Sequence, residues 1–356
     1  NHASSYGGAF AFSEEDPSTI FSFRSCAFND NECDRLRGSV LYLLCEKVTI
    51  NNCLFRNNSK ADPRSPMVFR QSGITDDEID QNSVIFMPNL CSETTFSMTF
   101  CSFESNNPGY CLFERNCNDL FLSDCKFVNN SQRHLNLVVF NNIQFYKCEF
   151  LTGPQRESGI KEVSSIRISD CVNECRFIDC QFNEFSTPML FSIHAPKLLH
   201  FIGCEIITAL DGDTIMDKIT GYAISCSCTQ SFVLANTKVV NTGGVLLTSN
   251  STASEIVRIA SSEISGTKNG FLFDENNKIR AELEIDSSNF SDAKYALSIQ
   301  SNNFSINAVV IKNCICHQQT NENAIFQLKI PSTVAQFVLN DFKFINNEFS
   351  HQSRYK

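Results

Sequence analysis

Val48-Thr-Ile-Asn-Asn-Cys-Leu-Phe55 reads apolar, any, apolar, any, any, small, any, apolar, and the same form returns along the whole 356-residue chain. The first apolar position is filled in turn by Phe21, Val48, Phe96, Leu120, Ile143, Cys175, Leu199, Phe232, Val257, Leu283, Val309 and Phe337, twelve copies mostly 23 to 28 residues apart. The second is large and apolar throughout: Phe23, Ile50, Met98, Leu122, Phe145, Phe177, Phe201, Leu234, Ile259, Ile285, Ile311 and Leu339. Alternation with period two on either side of a short interruption means two short strands facing one core.

The small position holds Cys26, Cys53, Cys101, Cys125, Cys148, Cys180, Cys204 and Cys314, with Thr237, Ser262, Ser288 and Phe342 in the remaining copies. Two residues later come Phe28, Phe55, Phe103, Phe127, Phe150, Phe182, Ile206, Val239, Ile264, Phe290, Cys316 and Phe344. The residue before the small position is Ser, Asn, Asp or Gly in ten of the twelve copies, types that tolerate the left-handed region or bond their own backbone at a bend. The chain is therefore expected to turn a corner there. A further alternating run follows a variable polar stretch, as in Met67-Val-Phe69, Met189-Leu-Phe191, Val245-Leu-Leu247, Phe271-Leu-Phe273 and Tyr295-Ala-Leu297, and supplies a third strand.

Three short strands, a tight corner and a period near 25 describe an all-β fold, a single-stranded parallel β-helix (β-solenoid) of about 12 rungs. At a strand spacing of roughly 4.8 Å this is a rod about 60 Å long. Residues 1–356 read as one continuous β-helix, with 1–18 the end of a preceding incomplete rung, 70–82 and 207–220 loop insertions, and 345–356 an uncapped end. Two frames stay open: the double-length gap from Val48 to Phe96, and Ile166-x-Ile168-x-x-Cys171 beside Cys175. Uncapped rungs expose strand edges, which predicts further solenoid segments or other copies of the chain stacked end to end.

Phe28 to Asn31, Phe55 to Asn58, Phe103 to Asn106, Phe127 to Asn130 and Phe344 to Asn347 each read Phe-x-x-Asn, while Gly7-Gly8-Ala9-Phe10 and Gly243-Gly244-Val245-Leu246 form a second motif. Together they resemble the repeats of the chlamydial polymorphic outer-membrane proteins and of similar protist surface proteins. That resemblance implies a right-handed β-helix displayed on a cell surface and used for adhesion. Independently of it, an Asn recurring at equivalent turns can bond its backbone and stack its amide on the next rung as a ladder.

Charge narrows the partners. With 29 Lys+Arg against 39 Asp+Glu and no basic run, nucleic acid and anionic membrane are not expected to bind. No apolar stretch approaches the roughly 20 residues that cross a bilayer, so no membrane insertion by this segment is expected.

The 18 cysteines suggest disulfides or metal, and Cys226/Cys228 and Cys314/Cys316, with Cys171, Cys175 and Cys180, make the metal reading concrete. Eight of them, however, occupy one inward column where Ser and Thr substitute, so the column reads as stacked thiols acting as small buried side chains. Parallel rungs point their Cβ atoms alongside each other, which is poor disulfide geometry. The off-column Cys33, Cys45, Cys91, Cys111 and Cys117 are the better candidates for bridges.

Many parallel β-helices cleave polysaccharides, which needs carboxylates, or a carboxylate with Lys, Arg or His, converging on one outer face. The sequence shows no such constellation, no catalytic residue is assigned, and no cofactor is expected. The acidic stretches at Asp76-Asp77 and at Asp211, Asp213 and Asp217 read as solvated loops, with a Ca²⁺ site and then a catalytic role as the alternatives. Asn57, Asn129, Asn250, Asn289 and Asn303 open Asn-x-Ser/Thr sequons and are the glycosylation candidates.

The expectation that follows is a non-enzymatic, cysteine-rich extracellular or cell-surface rod. It would be an adhesin-like or structural filament segment that binds a host, matrix or cell-surface protein or glycan. A polysaccharide lyase or hydrolase, and an intracellular scaffold with reduced thiols, are the alternatives.

Overall fold

The computed structural model describes residues 2–3, 8–12, 19–33, 40–43, 45–60, 83–87, 94–106, 110–130, 134–151, 166–169, 171–184, 190–194, 196–208, 222, 224–228, 230–240, 244–249, 255–265, 271–275, 280–291, 297–301, 305–317, 326–329, 336–341 and 343–345. Every regular element among them is a β-strand. The chain divides into two compact units, Asn1–Val172 and Asn173–Lys356, and each is built as a parallel β-helix with three strands to a rung.

In the first unit, the first face of the rungs is formed by Ile20–Arg24, Lys47–Asn51, Thr95–Thr99 and the C-terminal parts of Tyr110–Ser123 and Leu135–Tyr146. Pairing is parallel and lays the apolar column on itself: Phe21 on Val48, Val48 on Phe96, Phe96 on Leu120, Leu120 on Ile143. Because Phe96 pairs with Val48 directly, the double-length gap holds one rung with a long insertion. The second face, Ala27–Asn29, Leu54–Arg56, Ser102–Glu104, Lys126–Val128 and Glu149–Leu151, carries the Phe column in the same register.

The third face is formed by Phe10–Phe12, Leu41–Leu43, Ser83–Met87, the N-terminal parts of the two long strands, and Ile166–Ser169. Here the sequence reading needs correction. The third strand of the long rung is Ser83–Met87, whose Ile85 pairs with both Leu41 and Leu112, and not Met67-Val-Phe69, which lies outside the described residues. Ile166 pairs with Leu135 on this third face, so the frame around Ile168 does not compete with Cys175.

In the second unit, the first face runs through Glu174–Ile178, Leu198–Ile202, Ser231–Ala235, Glu255–Ala260, Arg280–Asp286, Ser305–Lys312 and Gln336–Asn340, with the column Cys175, Leu199, Phe232, Val257, Leu283, Val309 and Phe337 in register. Its third face contains Val245–Ser249 and Phe271–Glu275 as expected, but the strands expected from Met189 and Tyr295 begin two residues later, as Phe191–Ile193 and Leu297–Ser301. Strand ends follow the neighbouring rung, as in Phe191 on Ile224, which alternation alone does not register. The insertion expected at 207–220 starts later too, because Glu205–Thr208 is still paired strand. Residues 209–221, 61–82 and 346–356 are outside the described set.

All twelve corner residues have positive φ, from 48° at Asp341 to 66° at Gly203. Phe100 (54°) and Lys147 (52°) adopt the same conformation although their side chains disfavour it, so the geometry of the corner overrides residue preference. At Gly203 even a methyl group would run into the Asp179 carboxylate of the preceding corner.

The small column inside that corner is a hydrogen-bonding device as well as a space filler. Cys101 Sγ donates to the Thr99 carbonyl (3.2 Å) and the Ile50 carbonyl of the rung before (3.6 Å), and Cys125 repeats this with Ser123 and Met98. Where hydroxyls take the position the bonds tighten: Ser262 Oγ donates to Ala260 (2.8 Å) and Leu234 (3.2 Å). The Thr237 N–H in turn donates to Ser262 Oγ at 3.2 Å. The column therefore selects a small side chain that carries a donor, which explains why Cys, Ser and Thr share it.

A second left-handed corner follows the second strand in the first unit, at Asp30, Asn57, Ser105 and Asn129. The next residue, Asn31, Asn58, Asn106 or Asn130, is buried and builds the expected amide ladder: each Nδ2 donates to the Oδ1 of the next, from Asn31 to Asn58 (2.8 Å), Asn58 to Asn106 (2.9 Å) and Asn106 to Asn130 (2.9 Å). Beside it the rings of Phe28, Phe55, Phe103, Phe127 and Phe150 stack at 4.6 to 5.0 Å between centroids. Each fully buried ring contributes about 1.5–3 kcal/mol of hydrophobic stabilisation.

Candidate functional site

With the inward positions committed to packing, function is left to side chains that point out. On the first face of the first unit, three successive rungs present Thr95, Ser97, Thr99, then Asp119, Phe121, Ser123, then Asn142, Gln144, Tyr146. Only Asp119 among these carries a formal charge at neutral pH, and its carboxylate accepts from Asn142 Nδ2 (2.7 Å) and Asn118 Nδ2 (3.0 Å). Asn51 Nδ2 donates to Thr99 Oγ1 at 2.6 Å, and Asn141 Nδ2 to Asn118 Oδ1 at 2.8 Å, so the polar groups are held in place.

Two large apolar side chains lie open on this polar ground. Phe121 is 36% exposed near the C-terminal end of Tyr110–Ser123, and Phe100, at the corner one rung before, is 62% exposed. Tyr146 is half-buried on the following rung, with the Lys147 ammonium 4.9 Å from its ring centre. In register, Ser123 is bordered by Phe121 on its own strand, by Tyr146 on the next rung, and by Thr99 and Phe100 on the rung before. The backbone bond from Phe100 N–H to the Ser123 carbonyl (3.0 Å) fixes the last of these.

The first face of the second unit is charged instead. Glu284 lies 3.4 Å from Arg258 and 3.0 Å from Lys312, and Lys312 is 3.5 Å from Asp286. Hydrogen bonds from Asn313 and Ser287, with the Lys312 charge, hold the Asp286 carboxyl below the usual range, while Glu284 and Asp286 raise Lys312. Nearer the start of the unit Arg176 pairs with Glu174, and His200 sits on the neighbouring rung, its pKa lowered by burial and by Arg176. Carboxylates and bases thus do converge on one outer face, which the sequence reading did not detect. The pairs are charge-balanced, and a carboxyl pushed downward is a weak proton donor at neutral pH.

The signal for both faces lay in the residue between the two apolar columns. Read down the copies it gives Ser22, Thr49, Ser97, Phe121, Gln144, then Arg176, His200, Val233, Arg258, Glu284, Val310 and Val338.

Of the sequons, Asn57 and Asn129 are exposed at left-handed corners, Asn289 is half-buried with an enclosed Oδ1 that has no hydrogen-bond partner, and Asn250 and Asn303 lie outside the described residues. The column cysteines are buried thiols except Cys26, which is half-buried. Cys45, Cys111 and Cys117 are also buried and in the thiol form, Cys117 donating to the Thr94 carbonyl at 3.1 Å. Cys91 and the side chain of Cys33 fall outside the described residues, as do Asp76, Asp77, Asp211, Asp213 and Asp217. Among the described residues no group of three metal-ligating side chains gathers, and no helix is long and apolar enough to cross a membrane. Comparison with protein-family models, with curated proteins and with solved structures gave no match.

Proposed function

We propose that the chain is a non-enzymatic, adhesin-like display scaffold outside the cell or on its surface, which binds its partner through the outer faces of its rungs and the loops between them. The observation that carries this reading is the open pair Phe100 and Phe121 among hydrogen-bonding side chains, on a face whose charged groups are few and of both signs. Exposed aromatic rings on such ground are a contact surface, and the carboxylates beside them, Asp119 and Asp124, are already engaged by amide and hydroxyl donors. Further copies of the chain stacked through their rungs would extend the same face as a filament. Mass spectrometry of the unreduced protein from its natural source tests the location: glycans at Asn57 or Asn129 are expected, and bare sequons with all thiols reduced would favour an intracellular scaffold. The buried thiol column fits either compartment, since burial shields thiols from exchange.

A second reading, a polysaccharide-active enzyme, is favoured by Glu284 and Asp286 lying with Arg258 and Lys312 on one face. Turnover of a polysaccharide panel that disappears in Glu284→Gln or Asp286→Asn would establish it in place of the first.

A further inference from the structure

Resting on the reading of the first-unit face as a binding surface, we propose that Phe121 and Tyr146, with Phe100 at their edge, form a platform for an uncharged oligosaccharide. Three observations converge on that ligand class. The first is the ring exposure. Phe121 occupies an outward strand position held by Ser97 on the rung before and Gln144 on the rung after, so the fold does not require an aromatic side chain there. An open ring surrounded by hydrogen-bonding groups suits a ligand that alternates apolar C–H faces with hydroxyls, which is what a pyranose offers.

The second is strain. Phe100 holds a φ of 54°, where a bulky side chain is disfavoured, and 62% of it is in solvent, so neither backbone preference nor packing accounts for its presence. Strained positions that return nothing to stability are found at binding sites. Asn52 and Asp124, the corner residues on the neighbouring rungs, are of the types that fit the conformation.

The third is charge and spacing. The carpet around the rings is mainly hydroxyl and amide side chains; of the charged groups beside it, Asp119 already accepts two amide donors, Asp124 accepts from Ser123 Oγ, and the Lys147 ammonium lies over the Tyr146 ring. These charges are few and of both signs, so a strongly charged glycan or peptide finds no single-sign field here. The polar groups recur at the rung spacing of about 4.8 Å, close to the advance of one sugar per ring in an extended chain, so successive rungs can address successive sugars. A protein partner would call instead for concave, desolvated anchor sites, which a flat strand face does not supply.

The test is titration calorimetry of the full chain with a panel of uncharged hexose and N-acetylhexosamine oligosaccharides. At least one member is expected to bind with an affinity that changes little between about 50 mM and about 500 mM NaCl, since no ionic contact is involved. Phe121→Ala and Tyr146→Ala should each weaken it about tenfold. Both side chains point outward, so the far-UV circular dichroism and the urea midpoint serve as fold controls, and Glu263→Gln, on the second face of the second unit, should bind as the unsubstituted chain does. The proposal is overturned if no uncharged oligosaccharide binds, if the double variant binds equally well, or if only acidic glycans bind and salt removes them. Cell binding separates this failure from that of the wider reading: attachment that survives enzymatic removal of surface glycans overturns the platform and keeps the adhesin, whereas no attachment at all overturns the adhesin.

Discussion

Asn58 Nδ2 donates to Asn106 Oδ1 at 2.9 Å across 48 residues of sequence, and the Asn58 backbone N–H donates to the same oxygen at 3.0 Å. One side-chain oxygen thus satisfies two donors of the rung before it, while Asn106 Nδ2 reaches back to the Phe55 carbonyl at 2.9 Å. With the donation from Asn106 Nδ2 to Asn130 Oδ1 at 2.9 Å, the side chain closes four bonds inside a bend where it is buried. Asn106→Ala would leave those groups unpaired, and since each buried group without a partner costs about 1–3 kcal/mol, a loss of roughly 3 kcal/mol or more is expected by urea unfolding. Asn106→Asp keeps an acceptor but removes the donor and should also be destabilising. An Ala variant with an unchanged midpoint would mean the ladder is incidental to the bend.

The thiol column makes a sharper comparison. Cys125 Sγ donates to the Ser123 and Met98 carbonyls at 3.3 and 3.5 Å, and Ser262 and Thr237 do the same work elsewhere with oxygen. Cys125→Ser should therefore lie within about 1 kcal/mol of the parent, whereas Cys125→Ala, equally small but without a donor, should lose about 1–2 kcal/mol. Equal midpoints for the two variants would show that the column asks only for size.

Much of this was written in the sequence because the rungs repeat one local grammar. Period-two alternation marked the inward columns, and Ser, Asn, Asp and Gly marked the corners; every apolar pair from Phe21 to Ile143 and from Cys175 to Phe337 then fell into register. What stayed hidden depends on which rung lies beside which. Arg258, Glu284 and Lys312 are far apart in sequence and become neighbours only through strand pairing, as do Phe121 and Tyr146. The choice of Ser83–Met87 over Met67-Val-Phe69 had the same origin. Phe100 and Lys147 were placed at corners by their column alone, since their residue type argues against a conformation that the surrounding rungs impose.

Alkaline pH should weaken the fold through its buried thiols. Burial, with the neighbouring Cys314, pushes Cys316 up to about 12 from an ordinary 9.0, and burial alone raises Cys111. A folded-state value above the unfolded one means the folded chain keeps its proton longer. The stability is therefore fully present below about pH 9 and is lost as pH rises toward 12. Cys316→Val removes one such group while keeping an apolar side chain between Phe290 and Phe344. The variant should lose less stability between pH 8 and pH 11 than the parent does, by about 1 kcal/mol or more. Parallel pH profiles would show that this thiol does not contribute.

On the surface, Glu104 gives a titration that can be followed directly. Its carboxyl is lowered chiefly by hydrogen bonding to Arg56 and further by Ser102, with burial opposing. The Arg56 Nε contact is 2.8 Å. Because the folded value lies below the unfolded one, this pair's contribution is present above the ordinary carboxylate range and fades as pH falls through it. In Arg56→Ala the Glu104 titration, read by carboxyl-carbon NMR, should move up, with less than about 1 kcal/mol lost from an exposed pair. A titration that does not move would assign the shift to Ser102.

Phe100 supplies the prediction that separates stability from binding. Its φ of 54° is shared with Asn52, Asn236 and Asn313 at equivalent corners, and Asn accepts that conformation at lower cost than an aromatic residue. The ring is 62% exposed, so removing it gives up little burial. Phe100→Asn should accordingly raise stability by about 0.5–1 kcal/mol, visible as a higher urea midpoint at an unchanged slope. If the ring belongs to a binding platform, the same variant should bind oligosaccharide more weakly than the parent while folding more firmly. Strain kept at the cost of stability would then have its explanation in the ligand. A midpoint that falls would show instead that Phe100 packs against the rungs more than its exposure indicates.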